Sequence, residues 1–292
     1  MRWKRVDNPD VIDQRGGGGR LGGAPVRVGG GLGLVGVLLV LALNLLGGGG
    51  SGTAFDVPGA FGDGVQAPQA GRPLPASQDP DKDLKDFSAF VFTDVQKTWE
   101  ATFRRAGEPY EHAQLVLYSQ AVRTGCGSAS SAVGPFYCPG DRRVYLDLSF
   151  YRDMATKLRA SGDFAWAYVI AHEMGHHVQQ QLGTSDRVGD LQRQDPGRQN
   201  ALSVRLELQA DCYAGVWASS AYRQGQLEAG DLDEALTASQ AVGDDRLQRQ
   251  ATGSVNPDTF THGSSAQRKR WFQEGYRGGD PAACDTFSPE QV

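Results

Sequence analysis

The chain has 292 residues, 39% hydrophobic and 22% charged, with a formal net charge of −5. That length suits one large domain or two small ones, and a net-acidic chain with no basic stripe argues against nucleic-acid binding. The charge is uneven: residues 1–27 carry six basic and three acidic side chains, and the remainder carries 23 basic against 31 acidic.

Residues 1–27, basic and Gly-rich, read as a disordered cytoplasmic tail. Residues 28–46 are apolar, broken only by glycines and Asn44, and about 20 such residues span a bilayer as a helix. A cleaved signal peptide and a buried core helix are the competing readings. Against the first, 27 residues precede the run and Gly47–Gly50 follow it, where a signal peptide has a shorter charged end and a cleavage site. The expectation is an uncleaved single-pass transmembrane anchor, with the basic end cytoplasmic and the bulk of the chain facing outward. Residues 47–80, rich in Gly, Pro, Ala and Gln, read as an extended linker, and residues 81–292 as the folded domain.

Within that domain, Phe87, Phe90, Val91, Val95, Trp99 and Phe103 recur at three and four, predicting a helix over residues 83–106. Residues 113–118 predict a short strand. Residues 125–140 read as a loop closed by a disulfide. Residues 144–150 alternate, with Val144, Leu146, Leu148 and Phe150 on one face, which predicts a half-buried strand. Helices follow over residues 151–160 and 163–182, the second with Asp163 as its cap. A polar stretch, residues 183–199, reads as a surface loop or a flexible flap. Further helices are predicted over 201–223, 232–249 and from Ser264 or Ser265 to about 277. The class is α+β, mainly helical with a small sheet.

Four cysteines, an even number, suggest disulfides in a translocated domain. Cys126 and Cys138 flank a Gly- and Ser-rich segment and form the natural first pair, leaving Cys212 with Cys284. Buried free thiols are the alternative.

The chemistry concentrates at His172-Glu173-Met174-Gly175-His176. Two histidines four apart on a helix share one face, about 6 Å apart along the axis, so both can hold one zinc ion. Glu173 lies beside the first of them, within reach of a water on the metal without being a ligand. Phe164, Ala167, Ala171, Met174 or Gly175, Val178 and Leu182 form an apolar stripe, so the helix is expected to be largely buried. A small residue at Gly175 lets another segment approach. Zinc needs a third protein ligand. No His stands downstream in the His-x-x-Gly-x-x-His pattern, whereas Glu207 and Asp211 lie four apart on the helix over 201–223. Glu207 would bind the metal, and Asp211 would accept the other N–H of His172. An ordinary pair of solvated acids competes, though Leu206, Leu208, Ala210, Tyr213 and Trp217 surround them. His177 points about 100° away from His176 and is assigned no ligand role. His112 reads as structural.

Together these residues resemble the bacterial neutral zinc metallopeptidase family, single-pass proteins with a C-terminal peptidase domain. The resemblance runs from Met1-Arg2-Trp3 through residues 134–139, 144–148, 171–179 and 207–211 to residues 261–268. The last stretch is similar to a Thr-His-Pro-Ser-like segment followed by Arg in membrane zinc peptidases of the gluzincin group. Gly263 replaces the Pro, so the local backbone is expected to differ. The resemblance implies a zincin-like fold and a zinc-dependent peptidase. Zinc held by His172, His176 and Glu207 would lower the pKa of a bound water to about 7. Glu173 would serve as general base. His262 is the first candidate donor to the developing oxyanion and Arg268 the second. For His262, a helix-entry residue without chemical role is the alternative. The strand over 144–150 is either an edge that binds extended peptide or a core strand. The rival function is a non-catalytic zinc-binding scaffold of the cell envelope; hydrolysis of a bond other than a peptide is a third.

Overall fold

The computed structural model describes residues 1–16 and 73–288. Among these it is a mainly helical α+β fold. The strands are β1 (Val11–Asp13), β2 (Gln114–Tyr118), β3 (Ala121–Thr124), β4 (Gly127–Ser130), β5 (Phe136–Cys138) and β6 (Arg143–Asp147). Strands β1, β2, β6 and β5 lie side by side in that order, the first three parallel and β5 antiparallel to β6. Strands β3 and β4 form a separate hairpin.

The alternation over residues 144–150 suggests a half-buried strand, but β6 stops at Asp147. The Asp147 carboxylate accepts the backbone N–H groups of Ser149 and Gln120, each at 2.9 Å, and the chain turns into a helix. With neighbours on both sides, β6 buries Val144, Tyr145 and Leu146 alike and has no free edge for a peptide. It is a core strand, and the sheet edges are β1 and β5. The expected loop over 125–140 contains β5 and half of the hairpin, closed by the Cys126–Cys138 disulfide. Cys212 pairs with Cys284, and no free cysteine remains.

The helices are α1 (Lys82–Ala106), α2 (Ser149–Thr156), α3 (Asp163–Gln181), α4 (Thr184–Gln194), α5 (Gln199–Arg223), α6 (Asp231–Ala241), α7 (Asp244–Thr252) and α8 (Ser265–Gly278). Helix α3 is the hub. It is buried on all sides from Phe164 to Gly175 rather than along one stripe. Trp166 Nε1 donates to Ser88 Oγ of α1 at 2.9 Å, and Phe164 stacks on Trp217 of α5. The stripe does not reach Leu182, which lies past the helix end and is 52% exposed. Asp163 heads the helix but caps none of its N–H groups; its carboxylate takes the Met1 amino group instead.

Two close approaches lock α5 in place. A Cβ on Gly175 would lie 3.0 Å from the Ala210 backbone, so α3 and α5 touch one turn from Glu207. A Cβ on Gly275 would lie 1.9 Å from the Cys212 carbonyl oxygen, and one on Gly215 would lie 2.1 Å from that of Phe272. Only glycine lets α8 lie this close to α5.

Two helical expectations change. Residues 183–199 are not an irregular loop: α4 occupies most of them, with Val188 its one buried side chain, too little apolar periodicity to announce a helix. The helix expected over 232–249 is broken into α6 and α7 at Gly243, which is extended and packs so tightly on Ser265 that a Cβ there would lie 2.3 Å from its nitrogen.

The largest difference lies at the N-terminus. Residues 1–16 are part of the folded body rather than a disordered tail. Trp3 packs edge-on against Phe87 of α1, with ring centroids 5.6 Å apart. Asn8 donates to Thr93 Oγ1 at 2.8 Å, and β1 pairs along β2. Arg15 is buried and binds two carboxylates, Asp13 at 2.8 Å and Asp79 at 2.6 Å. The folded body therefore also includes residues 73–80, upstream of the boundary expected at Asp81. A three-residue strand is too short to display alternation, and its charges are matched inside the fold, so neither hydropathy nor charge bias reveals it. The apolar run 28–46 lies outside the described residues; no described helix is long and apolar enough to cross a membrane.

The guanidinium of Arg15 holds the Asp79 carboxyl below its usual range against the opposing effect of burial. Replacing Arg15 by Leu leaves a buried carboxylate with only Lys85, 3.5 Å away, and the Asp81 backbone N–H, at 3.0 Å, to offset it. The expected cost is about 3 kcal/mol, read as a lower urea midpoint. An unchanged midpoint would show that residues 1–16 contribute nothing to folding.

Candidate metal centre

Helix geometry brings His172 and His176 to one face of α3, and α5 crosses that face at Ala210. Glu207, one turn earlier on α5, meets both imidazoles. Its Oε2 is 3.2 Å from His172 Nε2 and its Oε1 is 3.4 Å from His176 Nε2. The three side chains form a group whose ligand atoms all lie within 4.8 Å of one another. The surrounding hydrogen bonds select which ring nitrogen is available. His172 Nδ1 is 2.9 Å from Asp211 Oδ1, and His176 Nδ1 is 2.9 Å from Gln179 Oε1. Both partners are acceptors, so each Nδ1 carries a proton and Nε2, which faces Glu207, is the nitrogen left for a metal. Two imidazoles and a carboxylate converging in this way fit a divalent ion that prefers nitrogen and oxygen donors, zinc foremost.

Asp211 is completely buried. Arg268 approaches from α8 with Nε 2.7 Å from Oδ2 and Nη2 2.9 Å from Oδ1. Tyr168, one turn before His172 on α3, donates its hydroxyl to the same Oδ1 and accepts from Arg268 Nη2 at 3.1 Å. Burial opposes ionisation of Asp211, but Arg268 and His172 outweigh it and lower its pKa. For His172, burial pulls the pKa down and Asp211 pushes it up more, to about 10. Asp211 thus makes a strongly basic ligand of its neighbour. Glu207 is held well below the usual carboxylate range: burial resists, and His176 and His172 prevail. Arg268, expected to stand with Asp211 behind the ligands and more weakly as a second oxyanion donor, has its nitrogens engaged by Asp211, Tyr168 and the Val242 carbonyl. It supports Asp211.

Glu173 is buried beside His172 and, among the described residues, makes no hydrogen bond or ion pair. His262 comes from the loop before α8. Its Nδ1 lies 2.9 Å from Thr261 Oγ1 and 3.3 Å from Asp244 Oδ1, leaving Nε2 as the free nitrogen. His262 and Glu207 are close enough for each to shift the titration of the other. Burial lowers the His262 pKa, but Asp244 raises it more.

Asp244 shapes this loop. Its Oδ2 accepts the backbone N–H groups of Thr261, His262 and Gly263 at 2.8, 2.6 and 3.0 Å. The turn requires Gly263 at φ +88°, which proline, fixed near −65°, cannot adopt. The departure from the Thr-His-Pro-Ser-like pattern therefore has a backbone cause. Sequence reasoning missed Asp244, and also Tyr168 and Gln179. The one signal for Asp244 was Gly243-Asp244-Asp245 inside an otherwise helical run. Tyr168 had only its four-residue spacing from His172.

His177 stands apart from the centre. It is fully buried between Tyr110 and Tyr137 and bonds the Glu111 carbonyl at 2.8 Å. His112 lies at the surface, 3.1 Å from Asp10. A second acidic group, Asp163, Asp231 and Glu234, is already engaged: the Met1 amino group binds the two aspartates, and Glu234 accepts the Phe164 N–H.

Burial, with the positive charge of Arg142 and His112, lowers the His177 pKa from 6.5 to about 4. Between those values the unfolded chain binds a proton that the folded chain refuses, so the unfolding free energy falls as pH drops from 6.5 towards 4. Urea titrations at pH 7 and pH 5 should show a loss of about 2 kcal/mol from this group. The loss should be absent from His177→Gln, and an identical pH dependence in that variant would contradict the assignment.

The family described as "Putative neutral zinc metallopeptidase" matches residues 1–287. The chain is similar to the uncharacterized protein YpfJ of Escherichia coli K12, 47% identical over 98% of this chain and 99% of that protein. It is also similar to the uncharacterized protein Rv2575 of Mycobacterium tuberculosis H37Rv, 50% identical over 61% of this chain and 64% of that one. No solved structure matches.

Proposed function

The chain belongs to the "Putative neutral zinc metallopeptidase" family, and from that premise we propose that it hydrolyses peptide bonds with zinc held by His172, His176 and Glu207. The observation that carries this reading is the convergence of those three side chains beside Glu173, a buried carboxylate with no other partner among the described residues. Zinc, when bound, supplies Lewis acidity and lowers the pKa of water to about 7.

The protein's own groups supply the rest. Glu173 takes a proton from the attacking water and delivers it to the departing amine, a general acid–base contribution of typically 10²–10⁴-fold. His262, whose pKa Asp244 raises against the effect of burial, offers its Nε2–H to the oxyanion that develops on the scissile carbonyl. Arg268 and Tyr168 hold Asp211, and Asp211 holds the His172 ring. A Glu-ligated site with this partner set is gluzincin-like, and peptide amides are the substrate class that such a geometry serves. A zinc-binding scaffold would need the three ligands but neither Glu173 nor the Asp244–His262 pair. The two disulfides support a location outside the reducing cytoplasm.

The purified protein is expected to carry about one zinc per chain by metal analysis. Glu173→Gln should retain that zinc and lose peptide hydrolysis by about 10²-fold or more. Turnover at the parent rate would refute the mechanism. Asp244→Asn should lower kcat by about 10²-fold with zinc content intact. It should also move the high-pH limb of the rate profile that a cationic His262 imposes to lower pH, because Asp244 is the group that raises the His262 pKa. A zinc-replete Asp244→Asn protein with the parent kcat and pH profile would exclude the role given to His262.

A further inference from the structure

The two zinc-binding histidines are held from behind in different ways. His172 rests on an ionised pair, Asp211 and Arg268. His176 rests on a line of neutral amides that ends at a disulfide. Gln179, fully buried, accepts from His176 Nδ1 through Oε1 at 2.9 Å. Its Nε2 donates to the Leu206 carbonyl at 2.7 Å and to Gln209 Oε1 at 3.2 Å. Gln209 Nε2 in turn donates to the Cys284 carbonyl at 2.9 Å. Cys284 ends the single turn Pro281–Cys284 and is bonded to Cys212, the residue after Asp211 on α5.

This line has a direction. A backbone carbonyl can only accept, so Gln209 must turn its NH₂ to Cys284 and its oxygen to Gln179. Gln179 must then turn its NH₂ to Gln209 and its oxygen to His176. His176 must therefore carry its proton on Nδ1 and keep the Nε2 lone pair for a metal. Reversing either amide would bury donor against donor, which costs the full desolvation of those groups. The bridge fixes where the Cys284 carbonyl stands. Thr286 Oγ1, which donates to the Arg205 carbonyl at 2.7 Å, adds a weaker tie for the same arm.

We propose that the Cys212–Cys284 disulfide is a positioning element of the metal centre, setting the orientation and tautomer of His176 through Gln209 and Gln179. This rests on the zinc reading above. The chain in its disulfide form therefore holds zinc more tightly than the reduced chain. Reduction by a dithiol moves two electrons and two protons onto Cys212 and Cys284, breaks their S–S bond and closes the reductant's own disulfide. The Cys284 carbonyl is then no longer held against Gln209. The Leu206 carbonyl still anchors Gln179, so the effect is a loosening rather than a loss. It belongs at the lower end of the 10–100-fold that partners behind a ligand typically contribute. Linkage makes the coupling reciprocal: zinc must make this disulfide harder to reduce by the same factor.

The test is zinc affinity of the full chain, measured by competition with a chromophoric chelator. Gln209→Leu, with both disulfides intact, should weaken zinc about tenfold. The Cys212→Ala/Cys284→Ala double variant should weaken it by a similar factor. Combining the two should add almost nothing, because both cut one relay; separate structural effects would multiply. Gln209→Glu, nearly isosteric, keeps the acceptor towards Gln179 but sets a carboxylate against the Cys284 carbonyl, and should also weaken zinc. In dithiol titrations, zinc should shift the midpoint for this bridge by about 30 mV for a tenfold coupling. A parent protein that takes up no zinc would overturn the metal centre and the relay together. A parent that binds zinc, with Gln209→Leu and Gln209→Glu indistinguishable from it or with multiplying effects in the combined variant, would overturn the relay alone.

Discussion

Asp211 receives four hydrogen bonds from three side chains, on α3, α5's crossing partner, and on α8, and none of its surface meets solvent. An ionised carboxylate in that position is costly unless every lone pair is matched. Matching it needs Tyr168 and His172 from α3 and Arg268 from α8 to arrive together. The packing of these three helices and the orientation of His172 are therefore set together. The glycines at 215 and 275 serve the same end, since α8 carries Arg268 to Asp211 only by lying against the α5 backbone.

Around this fixed point the polar groups divide their labour. The ligands His172, His176 and Glu207 present their electron pairs to one point. The two histidines are supported by partners of different chemistry: an ion pair behind His172, amides behind His176. His262 belongs to neither set. It enters on a turn that Asp244 gathers by accepting three consecutive backbone N–H groups. That turn exists because Gly243 interrupts what would otherwise be one helix. A break that reads as a packing detail is thus what brings His262 near Glu207.

The legible parts of this architecture are those written in local periodicity. His172 and His176 at four, Glu207 and Asp211 at four, and the large apolar residues of α1 all declare themselves through one helical repeat. The two disulfides also follow from few cysteines and plain spacing. What stays hidden is set by distant partners. Gln179 follows His176 by three on one helix, but nothing near Gln209 marks it as the next member of that line, and Asp244 is one acid among many until residues 261–263 close on it. Helix α4 hides because one buried valine suffices to seat it. Strand β1 hides because three residues cannot show a period, and because its arginine looks like part of a basic tail until Asp79 is seen beside it.

That arginine carries information about the whole chain. Arg15 and Asp79 are 2.6 Å apart, although the apolar run 28–46 stands between them in sequence. A segment that crosses a bilayer once parts its flanks by the hydrocarbon thickness, roughly 30 Å. One crossing by that run and the Arg15–Asp79 contact therefore exclude each other: the contact requires residues 16 and 73 to lie on the same side of any bilayer.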